Sequence, residues 1–195
     1  MNLVFAMILS IGIKGISAIV EIAIQMLITN GAGVSEYGEY TFFVSLIEGA
    51  YFVLFSGSVK LNTFYLSTPS ASLTKFKRKY TLYFVTPIIA VIVAAFAIMK
   101  NPYGVLSGII LYIYYFAFDT SSVFFSRGKQ LPALLGEYLF GRIILLIGML
   151  AVIKLNKATG IILLALYGLQ FVTMLLWFAP YKKTLNSGSE EISVH

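Results

Sequence analysis

Pro87-Ile88-Ile89-Ala90-Val91-Ile92-Val93-Ala94-Ala95-Phe96-Ala97-Ile98-Met99 is an unbroken apolar run with no polar residue in it. A half-buried β-strand alternates apolar and polar residues, and this run does not; nor does Ile143 to Ile153. Backbone N–H and C=O groups cannot be left unpaired in hydrocarbon, so a segment this apolar crosses a bilayer as a helix or as part of a closed barrel. The missing alternation decides for helices. Working outward from this run, five more stretches of similar character fill the 195 residues: 3–29, 40–65, 105–125, 131–153 and 159–180, with the quoted run inside 80–99. About 20 apolar residues span roughly 30 Å of hydrocarbon. The expected fold is therefore all-α, a polytopic membrane bundle of six transmembrane helices over residues 1–180, followed by a disordered cytoplasmic tail at 181–195.

Composition agrees. Hydrophobic residues make up 59% and charged residues 11% of the chain, and the mean hydropathy is +0.89, outside the range of soluble domains. The opening Met1-Asn2-Leu3-Val4-Phe5 has no basic leader and no small-residue cleavage site, so it reads as the start of a retained helix. The absence of cysteine removes disulfides and thiolate chemistry. The sole histidine, His195, is terminal with no second ligand near it, and no metal site is expected.

The net charge of +6 is distributed unevenly. Lys75, Lys77, Arg78, Lys79, Arg127, Lys129, Lys182 and Lys183 fall in the even connections and the tail; Lys100, Lys154 and Lys157 fall in the odd ones. Eight against three places both termini in the cytoplasm by the positive-inside rule. The basic loop before Tyr80 reads as a topology signal touching anionic membrane lipid, not as a nucleic-acid patch.

The connections are short. Residues 30–38 are expected to join the first two helices, with Ser35 as a cap; 67–72 to break the second; Asn101-Pro102-Tyr103-Gly104 and 126–130 to turn the next pairs, with Pro132 in a first turn. This suggests three successive hairpins. Gly104 with Gly108, and Ala90 with Ala94, are small residues four apart that permit close helix approach.

Ionisable groups inside the spans need a partner, water or a task. Lys14, Ser17, Glu21 and Gln25 recur at spacings of three, four and four, forming one polar stripe about 16 Å long, either buried against neighbours or lining a water-filled cavity. Glu48, Ser56, Lys60 and Thr63 share one side of the second helix, although Lys60 alternatively snorkels to the cytoplasmic surface. In the fourth helix, Tyr112, Tyr115, Asp119 and Ser122 share a face that offers hydroxyls, a carboxylate and flat rings suited to sugars; the tyrosines alternatively sit at the membrane interface. Arg142 lies too deep to snorkel, and is expected to line a cavity or pair with Glu137 or Glu21. No phosphate-binding lysine loop, His-Glu-x-x-His or Ser/His/Asp set is present, so neither an enzyme nor a cofactor is expected.

The stretch from Lys14 through Ile28-Thr29-Asn30-Gly31-Ala32-Gly33-Val34-Ser35-Glu36-Tyr37-Gly38-Glu39-Tyr40 resembles the opening of bacterial polysaccharide or O-antigen flippases of the MOP exporter superfamily. Ser56-Gly57 ahead of a basic loop, and Arg127-Gly128-Lys129-Gln130 ahead of Glu137-Tyr138, look similar to that family as well. The resemblance implies a bacterial inner-membrane transporter built from two six-helix bundles around a central cavity that passes lipid-linked oligosaccharide. It implies Lys14, Lys60 and Arg142 as phosphate contacts and the tyrosines as sugar contacts. The chain would then be the N-terminal half, or a truncated or split form, partnered by a second six-helix bundle in a homodimer or a split pair. Glu21, Glu48, Asp119 and Glu137 make the cavity mixed in charge. A small dimeric multidrug or metabolite transporter and a non-transporting scaffold of envelope assembly are the alternatives.

Overall fold

The computed structural model describes residues 3–65, 79–126 and 129–181, with side chains described for 7–57, 79–126 and 129–181. The expectations for 66–78, for Arg127 and Gly128, for the tail and for the Lys60 and Thr63 side chains lie outside these residues. The described chain is helical throughout, without strands. Six helices are long and apolar enough to cross a membrane: α1 (Leu3–Gly31), α2 (Val34–Tyr65), α3 (Thr81–Ile98), α4 (Pro102–Ser126), α5 (Gln130–Lys154) and α6 (Gly160–Phe178).

The connections are tighter than expected. Only Ala32 and Gly33 separate α1 from α2, so Ser35, Glu36 and Tyr37 belong to the first turn of α2 and not to a loop. Gly33 takes φ of 87°, a conformation closed to most L-residues, and its carbonyl accepts the Tyr37 N–H at 3.0 Å. At the next odd connection Asn101 is the cap: its Oδ1 accepts the Gly104 N–H at 3.1 Å, and Pro102 occupies the first helical position, where no N–H is required.

Helix order in space departs from three hairpins. α3 packs on α4 and α5 on α6, but α1 hardly touches α2 and lies instead against α5. α4 is central, flanked by α2, α3 and α6. Its core face carries Ile110, Leu111, Ala117 and Phe124, all buried. Small residues set the closest approaches. A methyl group added at Gly108 would sit 2.6 Å from Val93 of α3, and one at Gly141 would sit 2.9 Å from the Gln170 carbonyl of α6.

Two helices contain a wider turn. In α3, residues Thr81–Val85 are π-helical, and the Thr86 N–H reaches back to the Thr81 carbonyl. Pro87 follows and has no N–H to continue the regular ladder, which accounts for the displaced register. In α5, residues Leu135–Phe140 are π-helical. Just before them, the Pro132 carbonyl accepts the Trp177 indole N–H at 3.0 Å, drawing it towards α6.

Candidate functional site

Because α1 and α2 diverge, a cleft opens between them. Its walls are α1 with α5 on one side and α2 on the other, and its floor is formed by α4 and α6. The polar stripe of α1 borders this cleft. Ser17, 2% exposed, turns towards α5, whereas Glu21 and Gln25 are half-buried and Lys14 is exposed.

The central interaction is an ion pair. Arg142 Nη1 donates to Glu21 Oε2, with 30% and 40% of the respective side chains exposed. Both residues lie near the midpoints of their helices, the most costly depth for an unpaired charge. Glu21 also accepts from Gln25 Nε2 at 3.4 Å, and Gln25 Oε1 accepts the Tyr37 hydroxyl at 3.1 Å. Tyr37 thereby ties α2 to α1 beside the turn and closes the cleft at that end. The chain of bonds Tyr37, Gln25, Glu21, Arg142 links three helices.

The other acidic groups stand around the same space. Glu48 of α2 is exposed and accepts the Tyr167 hydroxyl of α6 at 2.9 Å. Glu137 of α5 accepts from Ser121 of α4 at 2.8 Å and lies within electrostatic range of Lys14 and Arg142. The Lys14 ammonium sits 5.4 Å from the centroid of the Tyr138 ring, a cation–π contact. The π-turn explains how α5 supplies so much. Residues five apart on an α-helix point roughly 140° away from each other; i→i+5 bonding brings Glu137 and Arg142 towards one side.

Aromatic rings make the floor. Tyr51 and Tyr114 have centroids 4.3 Å apart, Tyr114 and Phe171 4.5 Å, Tyr167 and Phe171 5.2 Å, and Tyr40 meets Tyr167 edge-on at 6.3 Å. Tyr40 is in electrostatic range of Glu21, Glu48 and Arg142, and Tyr114 of Glu48, Glu137 and Arg142. Beyond the turn end of the cleft, Glu36 accepts the Gly160 N–H at the start of α6, a carboxylate at the positive end of a helix. That bond fastens α2 to α6 at this end.

The expected site residues divide. Lys14, Glu21, Gln25, Glu48, Glu137 and Arg142 come together at the cleft. Tyr115 does not: it is 2% exposed, packs on Phe55 and shares a hydrogen bond with Thr81 of α3 at 3.1 Å. Its neighbour Tyr112 likewise meets Thr86 of α3 at 3.3 Å, so the proposed sugar face of α4 is the α3 packing face. Asp119 is half-buried and within electrostatic range of Tyr51, at the margin of the cleft. The rings beneath the cleft, Tyr40, Tyr51 and Tyr167, are buried at 3%, 9% and 6% exposure, and only Tyr114 beside them is half-buried; none of them was singled out for this place from sequence. Their signal is present in α2, where Tyr37, Tyr40, Val44, Glu48 and Tyr51 follow helical spacing.

The arrangement offers a guanidinium and an ammonium for anions, carboxylates for cations, and rings for flat apolar or sugar surfaces. Among the described residues, no group of three or more acidic or histidine side chains is disposed to hold a metal ion. No protein-family model matches the chain, and neither a curated protein nor a solved structure matches it.

Proposed function

We propose that the chain is a membrane transporter bundle, working with a second six-helix bundle as half of a flippase for lipid-linked oligosaccharide. The observation that supports this reading is the Glu21–Arg142 pair at mid-membrane depth, on the wall of a polar, ring-floored cleft. Stability alone offers no reason to keep such a pair, because well-packed apolar residues serve a bilayer-embedded core as well or better. A cleft that passes a charged head group has that reason. A phosphate crossing hydrocarbon needs cationic company, and a guanidinium presents several donors, so Arg142 can hold Glu21 through one and a phosphate oxygen through another. Lys14 lies on the same wall, and the half-buried Tyr114, packed on Tyr51 and Phe171, offers ring surface to a sugar. Under this reading the termini are cytoplasmic, the protein resides in a bacterial inner membrane, and the Tyr37 and Glu36 contacts close the side away from the cytoplasm.

A second reading has its own observation. Glu48 among Tyr40, Tyr114 and Tyr167 is an acidic site walled with rings, the chemistry that recognises organic cations. A multidrug or metabolite transporter would use that side of the cleft.

Replacing Arg142 by Ala and measuring surface polysaccharide in a strain that depends on this chain distinguishes the two. Export is expected to fall at least about tenfold at unchanged membrane abundance, equivalent to about 1.4 kcal/mol or more of lost stabilisation. Unchanged export refutes the phosphate role; unchanged export with lost efflux of a lipophilic cation in Glu48→Gln selects the second reading.

A further inference from the structure

We infer that Trp177 of α6 is a positioning residue for the cleft: it braces the π-turn of α5 and thereby holds Glu137 against Ser121, on the side of α5 that also carries Arg142. Two observations support this, one of spacing and one of packing.

Gly136 and Gly141 are both buried against α6. A methyl group added at Gly136 would sit 2.7 Å from Trp177 and 2.9 Å from Phe178, and one added at Gly141 would sit 2.9 Å from the Gln170 carbonyl. Residues five apart on a regular α-helix point about 140° away from each other, so both could not seat on one neighbour. The π-turn at Leu135–Phe140 absorbs one extra residue and brings both glycines to α6. Glu137 and Arg142 each follow one of these glycines by a single residue. The turn that seats the glycines therefore also sets the two charged residues towards one side.

The hold on α5 differs before and after the turn. After it, Gly141 lies on α6 backbone, and a methyl group at Gly148 would sit 2.9 Å from Leu166, so close packing fixes the register there. Across the turn, one side chain of α6 acts at three points: the Trp177 indole N–H donates to the Pro132 carbonyl at 3.0 Å, its ring closes on Gly136, and its centroid lies 4.9 Å from that of Phe140. Pro132, Gly136 and Phe140 are four apart and line one face of α5 through the turn. Removing the brace lets the turn relax to a regular helix, the far commoner form. With the later part of α5 held, the earlier part advances by one residue and rotates by about 100°. Tyr138 then takes the place of Glu137, and the carboxylate leaves Ser121. Glu137 is within electrostatic range of Lys14 and Arg142, so the shift also removes an anion that balances them. The weight of Glu137 in export rests on the transport reading; the register of α5 does not.

Cross-linking of the full chain in native-like membranes tests the register. The chain has no cysteine, so paired substitutions supply the only thiols. With a short, membrane-permeant bifunctional thiol reagent, Ser121→Cys is expected to join Glu137→Cys at least about tenfold faster than Tyr138→Cys. Adding Trp177→Ala is expected to reverse that preference. Deleting Leu139 as well removes the extra residue, so a regular helix again carries position 137 to Ser121 and the first preference returns. Plain loss of packing at Trp177 would not be repaired by shortening α5. An absent Glu137→Cys link in the otherwise unchanged chain, a preference that Trp177→Ala leaves in place, or a reversal that the deletion does not undo each overturns the proposal. If Trp177→Ala alone fails to accumulate, the deletion is expected to restore accumulation, and failure to do so overturns it equally. Under the transport reading, export falls in Trp177→Ala and recovers with the deletion. A link that moves while export stays unchanged supports the positioning role of Trp177 and removes Glu137 from transport.

Discussion

Two pairs of neighbouring helices share the same kind of connection and meet opposite fates. α3 and α4 are joined through Met99, Lys100 and Asn101 and close on each other, with Gly104 against Phe96 and Gly108 against Val93. α1 and α2 are joined through Ala32 and Gly33, a shorter link, and still diverge. The link does not decide whether a hairpin closes; the facing residues do. α3 and α4 present glycines and apolar side chains, so contact costs nothing and each dispersion contact counts. α1 and α2 present Lys14, Glu21, Gln25, Tyr37 and Glu48, which are better satisfied by water, by each other at one level, or by α5 and α6.

The contrast can be broken from either side. The largest effect belongs to the cleft: Arg142→Ala is expected to reduce export at least about tenfold, and Arg142→Lys to recover only part of it, because an ammonium keeps the charge but loses the planar fork. Export assays of both variants at matched membrane abundance check this. Next comes the closed seam. Gly108→Val places carbon where Val93 stands, and overpacking of this kind costs about 1–3 kcal/mol. The expected result is a lowered midpoint of thermal unfolding in detergent, with export per folded molecule retained; a normal midpoint would mean that the seam is looser than described. Smaller still is Tyr167→Phe, which removes the hydroxyl that Glu48 accepts and costs about 0.5–1.5 kcal/mol. Its midpoint is expected to shift by a few degrees at most. The smallest is Tyr37→Phe, a partly exposed bond at the turn end, expected to leave the midpoint within error.

Much of this was legible in the residues. The six spans, the polar stripe of α1 and the depth of Arg142 follow from hydropathy and from the 3.6 period, which are local properties. Which carboxylate meets Arg142 is not local. Glu137 is the nearer in sequence, yet the pair is with Glu21, because α1 lies on α5 and no feature of a connection announces that. The π-turn at Leu135–Phe140 also escapes a regular helical projection, and with it the joint presentation of Glu137 and Arg142. In α4 the error was one residue wide. Tyr114 and Tyr115 are adjacent, about 100° apart on the helix, and the cleft takes the first while α3 takes the second. Tyrosine is equally at home at a membrane interface, in a core and beside a ligand, so residue type did not separate them.

A transport path between α1 and α2 requires the cleft to be aqueous. Ala18 and Ile19 are adjacent, equally deep and both exposed, Ile19 to 69%. Ala18 falls beside Lys14, Glu21 and Gln25 on the cleft side, whereas Ile19 faces away from it. The chain has no cysteine, so Ala18→Cys and Ile19→Cys each introduce a single thiol. A water-soluble maleimide reacts with the thiolate, which forms in water and not in hydrocarbon. Labelling in membranes is expected to be at least about tenfold faster at Ala18→Cys than at Ile19→Cys. Equal rates at the two positions would contradict an aqueous cleft.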